Sequence, residues 1–343
     1  MTETMRHLVI EAPGELTWRE TRRPQLQTGL DAIVQPLVVG RCDLDTGFVR
    51  GLAPIARGEP LGHECIAEVV EIGSHVNTVC VGMRVIVAAQ ISCGNCRACR
   101  LGATGRCESV PFGASFGMGR AGNHGGAIAD YMRVPFADAM LVQLPPSLDP
   151  VQMIGAADMA LDAWRAVGQP LQERPAAEVL VLGGLASVIG LYAAGLARSM
   201  GAARTVFCAK DAKQRIAAAV YGVEVVETLL PEHGRFDIIV DACGDASELP
   251  AMFRAAAPEA IITSVVFYER EFVLPQRELY LKGVTYRTGR PNVRPAIEPV
   301  LALCHAGFRP HALDQSVFPF DAAAGAWLAD DLRVVISRTG DLT

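Results

Sequence analysis

Two textures of hydrophobic and polar positions divide the chain. From Arg6 to about Pro146, short apolar runs such as Ala67–Ile72 and Arg84–Ala88 are broken every few residues by Gly and Pro, which predicts an irregular β domain. From about Glu178 the pattern changes. The run EVLVLG, helical apolar spacing over Ser187–Met200, RTVFC, a helical stretch near Asp211–Tyr221, FDIIVDACG and AIITSVVFY follow one another. Strand and helix patterns in alternation predict βαβ units and a parallel sheet. The alternation stops near Pro291, after which Ala296–Ala306 predicts one more helix, ahead of a tail with apolar stretches around Val317 and Leu332–Ser337. No internal repeat or low-complexity segment interrupts this order.

A length of 343 residues favours two domains over one. Half the residues are hydrophobic and 20% are charged, a balance that buries substantial cores and excludes general disorder. No apolar stretch reaches the roughly 18 uninterrupted residues of a membrane span, so no membrane association is expected. The opening MTETMRHLVIEAPGE carries several acids and no long apolar segment before a cleavage site, so a cytoplasmic location is expected. A net charge of −6 with scattered basic residues offers no footprint for phosphate backbones, and nucleic acid is not an expected partner.

Ten cysteines change the picture, because four of them fall within fifteen residues. Cys93, Cys96, Cys99 and Cys107 form C-x2-C-x2-C-x7-C in SCGNCRACRLGATGRC, the spacing of a closed, tetrahedral, four-thiolate structural zinc. Gly94, Gly102 and Gly105 let the backbone turn tightly between them. An iron–sulfur cluster and unliganded buried thiols are the alternatives. Cys65, Cys80, Cys208, Cys243 and Cys304 are assigned to packing.

GHE at Gly62–Glu64, the four-cysteine lobe, HGGAIADYMRVP at His124–Pro135 and the later nucleotide-type pattern occur in an order that resembles the zinc-dependent medium-chain dehydrogenase/reductases, the relatives of alcohol dehydrogenase. The likeness spans nearly the whole chain. It implies a catalytic zinc held by Cys42, His63 and Asp158, with Glu64 as an occasional fourth ligand. Asp158 stands where many relatives have Cys, and a carboxylate is still a good zinc ligand. Three ligands leave one position open for water or a substrate oxygen, so the metal acts as a Lewis acid. Asp45 matches an aspartate that orients the zinc histidine through its far ring nitrogen. Each residue alone has a plainer reading: Cys42 as a small buried hydrophobe, Asp158 as a helix cap, His63 as a hydrogen-bonded structural residue.

The resemblance also implies a nicotinamide cofactor on the strand EVLVLG and the helix after it, where a pyrophosphate meets backbone N–H groups and the positive helix end. G-x-G-x-x-G is absent. The segment reads Gly183, Gly184, Leu185, Ala186, Ser187, Val188, Ile189, Gly190, a lengthened loop that a plain strand–turn–helix explains equally well. At the end of the second strand, where NAD-binding folds carry an acid for the ribose hydroxyls, stand Ala209 and Lys210, with Lys213 and Arg215 one turn on. Room and positive charge there favour NADP(H) over NAD(H); an ordinary solvated helix face is the other reading.

The expected fold class is α/β and β: a GroES-like irregular β catalytic domain over 1–159 holding both zinc ions, a Rossmann doubly wound parallel-sheet domain over 160–292, and a C-terminal return to the first domain over 293–343. The expected function is zinc-dependent hydride transfer between NADP(H) and an alcohol or carbonyl of a small molecule, in a homodimer or homotetramer. Relatives carry Ser or Thr two residues after the first zinc cysteine as a proton relay. Here that position is Leu44, with Thr46 one helical turn beyond Cys42 as a substitute if the loop is helical. Leu44 keeps open a reductase of iminium or conjugated C=C substrates. A non-catalytic protein that retains the fold, as lens-type relatives do, is the alternative from another class.

Overall fold

The computed structural model describes residues 3–119 and 123–339. The chain divides into two compact units: 1–158 with 292–299 and 315–343, and 159–291 with 300–314. The segment 300–314, expected to return with the rest of the C-terminus, groups with the second unit instead. The chain passes from one unit to the other inside the helix Ile297–His305.

The first unit is built on a mixed sheet. Its strand order is Ser316–Pro319, Val334–Ser337, Ala32–Gly40, Glu64–Ile72, Arg84–Val87 and Leu141–Gln143, with Met132–Val134 also pairing with Ala32–Gly40. A separate hairpin joins Thr4–Ala12 to Glu15–Arg22. Ala32–Gly40 holds Pro36 in a central position, which a ladder tolerates only at an irregularity; the register with Glu64–Ile72 shifts between Pro36 and Val38. Inward-facing Val34, Val39, Cys65, Ala67, Val85, Val87 and Ile336 join Phe116, Ile128 and Trp327 in one core. The last strand pairs antiparallel with Ala32–Gly40, Val335 opposite Gly40, so Val334–Ser337 lies directly beside the segment that leads into Cys42.

The second unit is a six-stranded parallel sheet in the order Glu224–Val226, Arg204–Cys208, Glu178–Leu182, Phe236–Asp241, Ala256–Ser264, Thr285–Arg287. Numbered along the chain, that order is 3-2-1-4-5-6, the doubly wound dinucleotide-binding arrangement, with its switch point between the first and fourth strands. The strands are nearly continuous apolar runs, Val179–Val181 and Ile238–Val240 all fully buried, as parallel strands covered on both faces require. Sequence periodicity did not mark the helices Leu249–Arg254 and Gln276–Lys282, which are too short for a 3.6-residue period to stand out. No helix among the described residues is long and apolar enough to cross a membrane.

Candidate active site

Cys42 follows the strand Ala32–Gly40 and caps the helix Asp43–Val49. Asp45 sits at the third position of that helix, and its Oδ2 accepts the Cys42 N–H at 3.1 Å. His63 immediately precedes the neighbouring strand Glu64–Ile72, and Asp158 ends the short turn Ile154–Ala157. The ligand atoms of Cys42, His63 and Asp158 lie within 4.8 Å of one another, and all three residues are buried. The two Asp carboxylates flank the imidazole: Asp158 Oδ2 is 3.3 Å from Nε2 and Asp45 Oδ2 is 3.6 Å from Nδ1. Despite these distances, neither ring nitrogen makes a hydrogen bond of good geometry. Three donors at this spacing could share one metal ion.

A thiol and several carboxylates crowd one buried imidazole. Burial first, then Asp158, Asp43, Asp45 and Glu64, push the Cys42 thiol well above its ordinary range. Burial lifts the Asp45 carboxyl to about 6 against the pull of His63 and the Cys42 N–H. Burial alone would lower His63, but the carboxylates of Asp45, Asp158 and Glu64 raise it to about 9. A divalent ion removes the conflict by binding the thiolate and the neutral imidazole together. Sulfur, nitrogen and carboxylate oxygen are a zinc donor set, and three protein ligands leave the open position of a catalytic site.

Glu64 stands apart from these three donors. It is fully buried and paired with the equally buried Arg333 at 2.6 Å, so a guanidinium holds the carboxylate that was expected as an occasional zinc ligand. Arg333 also donates to the Arg41 carbonyl. Arg41 in turn donates to the carbonyls of Trp327, Ala329 and Asp331 at 2.9, 2.7 and 2.5 Å. Two buried arginines thus tie the C-terminal strand to the residue before Cys42. A side chain at Gly40 would overlap both partners of the Glu64–Arg333 pair. Sequence reading missed Arg41 and Arg333 because a buried arginine carries no local signature.

The segment after Cys42 is helical, which sets Thr46 one turn on; its hydroxyl donates to the Cys42 carbonyl at 3.4 Å. Leu44 packs against the core of the first unit.

Cys93, Cys96, Cys99 and Cys107 form a second group with sulfurs within 4.8 Å of one another. Backbone N–H groups point at the sulfurs: Cys93 to Cys107 (3.3 Å), Cys96 to Cys93 (3.3 Å), Cys99 to Cys96 and Glu108 to Cys96 (each 3.4 Å). Burial opposes ionisation of Cys93, yet the Ser109 hydroxyl and the N–H groups of Asn95 and Cys96 bring it down to about 6. Gly94 and Gly102 have positive φ, whereas Gly105 serves by donating its N–H to Asn292. Of the cysteines assigned to packing, Cys65, Cys208 and Cys243 are buried and Cys304 is half-buried. Cys80 is exposed, which corrects its assignment.

In the second unit, Gly183 and Gly184 follow the strand Glu178–Leu182 at the switch point. A Cβ at Gly184 would meet the Cys243 carbonyl. The N–H groups of Leu185 and Ala186 donate to the carbonyls of Cys243 and Ala242 at 2.9 and 3.0 Å, so the lengthened loop spends on the protein two of the donors expected to meet a pyrophosphate. Ser187, Val188 and Ile189 form the first turn of the helix Ser187–Ser199. Ala209 is buried at the end of the strand Arg204–Cys208. Lys210 is ion-paired with Glu248 and Asp245. Arg215 donates to the carbonyls of Ala209 and Lys210 at 2.6 and 2.7 Å and pairs with Glu227, so it braces this turn. The Lys213 N–H donates to Asp211, the cap of the helix Ala212–Ala219. Gln214, unmarked in the sequence, is 6% exposed; its Nε2 donates to the Gly184 carbonyl and its Oε1, beside Gly183, has no partner among the described residues.

Residues 29–146 match the alcohol dehydrogenase GroES-like domain. A probable zinc-binding alcohol dehydrogenase of Mycobacterium tuberculosis is 29% identical, covering 93% of this chain and 84% of the relative. The solved alcohol dehydrogenase TADH of Thermus sp. ATN1 superposes with a TM-score of 0.86 at 28% identity, over 97% of this chain and 99% of its own. An Escherichia coli CFT073 alcohol dehydrogenase solved with NADH shares the fold at a TM-score of 0.83 and 21% identity, over 98% and 100% of the two chains. With these likenesses beside the two metal-type donor sets and the 3-2-1-4-5-6 sheet, residues 29–146 carry the alcohol dehydrogenase GroES-like domain, and nearly the whole chain is similar to zinc-type alcohol dehydrogenases, which are oxidoreductases.

Proposed function

We propose that the protein moves hydride between a nicotinamide cofactor and the carbonyl or alcohol carbon of a small organic molecule. The observation that carries this reading is the buried cluster of Cys42, His63 and Asp158, spaced to share one metal ion, with Nε2 of His63 unsatisfied. Zinc bound there supplies Lewis acidity towards a substrate oxygen. Asp45 lies on the Nδ1 side of His63, favouring a proton on that nitrogen and leaving Nε2 for the metal. Burial of all three donors keeps bulk water from the reacting carbon. The four cysteines hold a second zinc that does no chemistry, so the proposed content is two zinc ions per chain.

The Gly183–Gly184 turn, the helix start behind it and the unpartnered Gln214 Oε1 fit the pyrophosphate and ribose of a dinucleotide. The absence of an acid at Ala209 supports NADP(H) over NAD(H). Because Lys210 is already paired, the preference is moderate. Ala209→Asp places a carboxylate against the 2′-phosphate. It should lower kcat/KM for NADPH by at least about tenfold, since like charges at close quarters cost more than that factor, while NADH use is retained. Equal loss with both cofactors would remove the basis for the NADP(H) reading.

Substrate class is tested by offering aldehydes, ketones, iminium ions and enals with NADPH. Carbonyl turnover should lead. Leu44, packed against the core two residues after Cys42 with no hydroxyl to relay a proton, favours the second reading, iminium or conjugated C=C reduction, through its iminium branch, where hydride addition gives a neutral amine and needs no proton at that step. Activity confined to iminium or enal substrates would establish that second reading. A homodimer or homotetramer is proposed from the edge strand Thr285–Arg287 and the exposed Val273, Tyr280 and Leu281 nearby in the chain. A cytoplasmic location is proposed from thiol clusters that need a reducing compartment.

A further inference from the structure

The strand Arg204–Cys208 ends without its own acid, yet a carboxylate reaches its C-terminal end from elsewhere in the sheet, and from this we infer that Glu248 sets discrimination at the adenosine 2′ position. The inference rests on the nicotinamide-cofactor reading above. Strands in a parallel sheet end on one edge, so the connection after Phe236–Asp241 meets the one after Arg204–Cys208 although Glu178–Leu182 lies between them. Across that edge Lys210 Nζ is 2.5 Å from Glu248 Oε1 and 3.4 Å from Asp245 Oδ2. A second observation places the Glu248 charge over the strand end: after burial, it is the Glu248 carboxylate that raises the Cys208 thiol, to about 11. Asp245 is held in its own turn by the Ser247 N–H and hydroxyl at 2.9 and 2.7 Å. Arg215, on the carbonyls of Ala209 and Lys210, fixes the backbone from which Lys210 reaches.

A ribose 2′-hydroxyl is a hydrogen-bond donor that a carboxylate accepts, whereas a 2′-phosphate is repelled by a carboxylate and drawn to a cation. With Glu248 beside it, the Lys210 charge is compensated. NAD(H) then meets a near-neutral site with a carboxylate to receive its ribose, and NADP(H) must draw Lys210 away from Glu248. Glu248 therefore restrains the preference for the phosphorylated cofactor that the small Ala209 permits.

Dissociation constants without substrate, read from nicotinamide fluorescence of NADPH and NADH in the native protein, Glu248→Gln and Lys210→Ala, test the inference; displacement by 2′,5′-ADP and by ADP isolates the 2′ group. Glu248→Gln should shift the NADPH-to-NADH affinity ratio towards NADPH by about threefold to fivefold, the scale of one solvent-exposed charge interaction. The shift should recur with 2′,5′-ADP against ADP and shrink at high salt, which a packing change would not produce. Lys210→Ala should shift the ratio the other way. An unchanged ratio in Glu248→Gln, with native NADPH binding intact, overturns this inference alone. A native protein that binds neither dinucleotide overturns the cofactor reading and the inference with it.

Discussion

Replacing Cys42 with Ala should reduce bound zinc from two ions per chain to one and lower kcat/KM for a carbonyl substrate by about a thousandfold or more. That loss corresponds to the several kcal/mol of charge stabilisation that a Lewis-acid metal contributes to a transition state. The chain should stay folded: the Asp45 carboxylate still caps the helix start through the backbone N–H of residue 42, and the four-cysteine lobe draws on none of the same residues. Elemental analysis of the purified variant gives the zinc count, and cobalt substitution gives a readout independent of turnover, since a thiolate-to-cobalt charge-transfer band from the open site should vanish while that of the closed site remains. Asp45→Asn should be milder, about 10- to 100-fold in metal affinity, because it disturbs only the orientation of His63. A native protein with a single zinc, unaltered by Cys42→Ala, would leave the buried donor set without a metal and remove the basis of the proposed reaction.

How much of this was legible in the sequence depended on whether the information was local. The four-cysteine lobe is set by spacing within fifteen residues and could be read directly. The parallel sheet announced itself through buried apolar runs such as Glu178–Leu182 and Phe236–Asp241, because strands covered on both faces have no polar alternation to confuse them. The grouping of Cys42, His63 and Asp158 came from family resemblance, since no local rule links residues so far apart in the chain. Three features stayed hidden because they are pairings across the fold. Glu64 reads from the sequence only as an occasional metal ligand, and its buried pairing with Arg333 is invisible there. Lys210 and Arg215 look like free phosphate-binding cations until Glu248, Asp245 and the turn carbonyls are placed. Leu185 and Ala186 look like pyrophosphate donors until the carbonyls of Cys243 and Ala242 take their N–H groups. Burial and partner choice are tertiary facts, and a charged residue means something different once its counter-charge is known.

The Glu64–Arg333 pair turns that point into a stability measurement. Both side chains are fully buried, and the pair adjoins the strand end that leads to Cys42. Arg333→Met keeps much of the apolar volume but strands a carboxylate in the interior, and breaking a buried pair from one side costs about 3–5 kcal/mol. It also removes the hydrogen bond to the Arg41 carbonyl, so the Cys42 segment should loosen and catalytic zinc should be lost more readily to a chelator. The double variant Glu64→Gln with Arg333→Met removes the stranded charge and should recover more than half of the lost stability, since a buried ion pair replaced by neutral groups is often close to neutral in energy. Denaturant titration of the native protein, the single variant and the double variant gives the comparison. If Arg333→Met costs less than about 1 kcal/mol, the scale of an exposed pair, then Glu64 has found another partner. The metal is the nearest candidate, and a rise in zinc affinity in that variant would identify it.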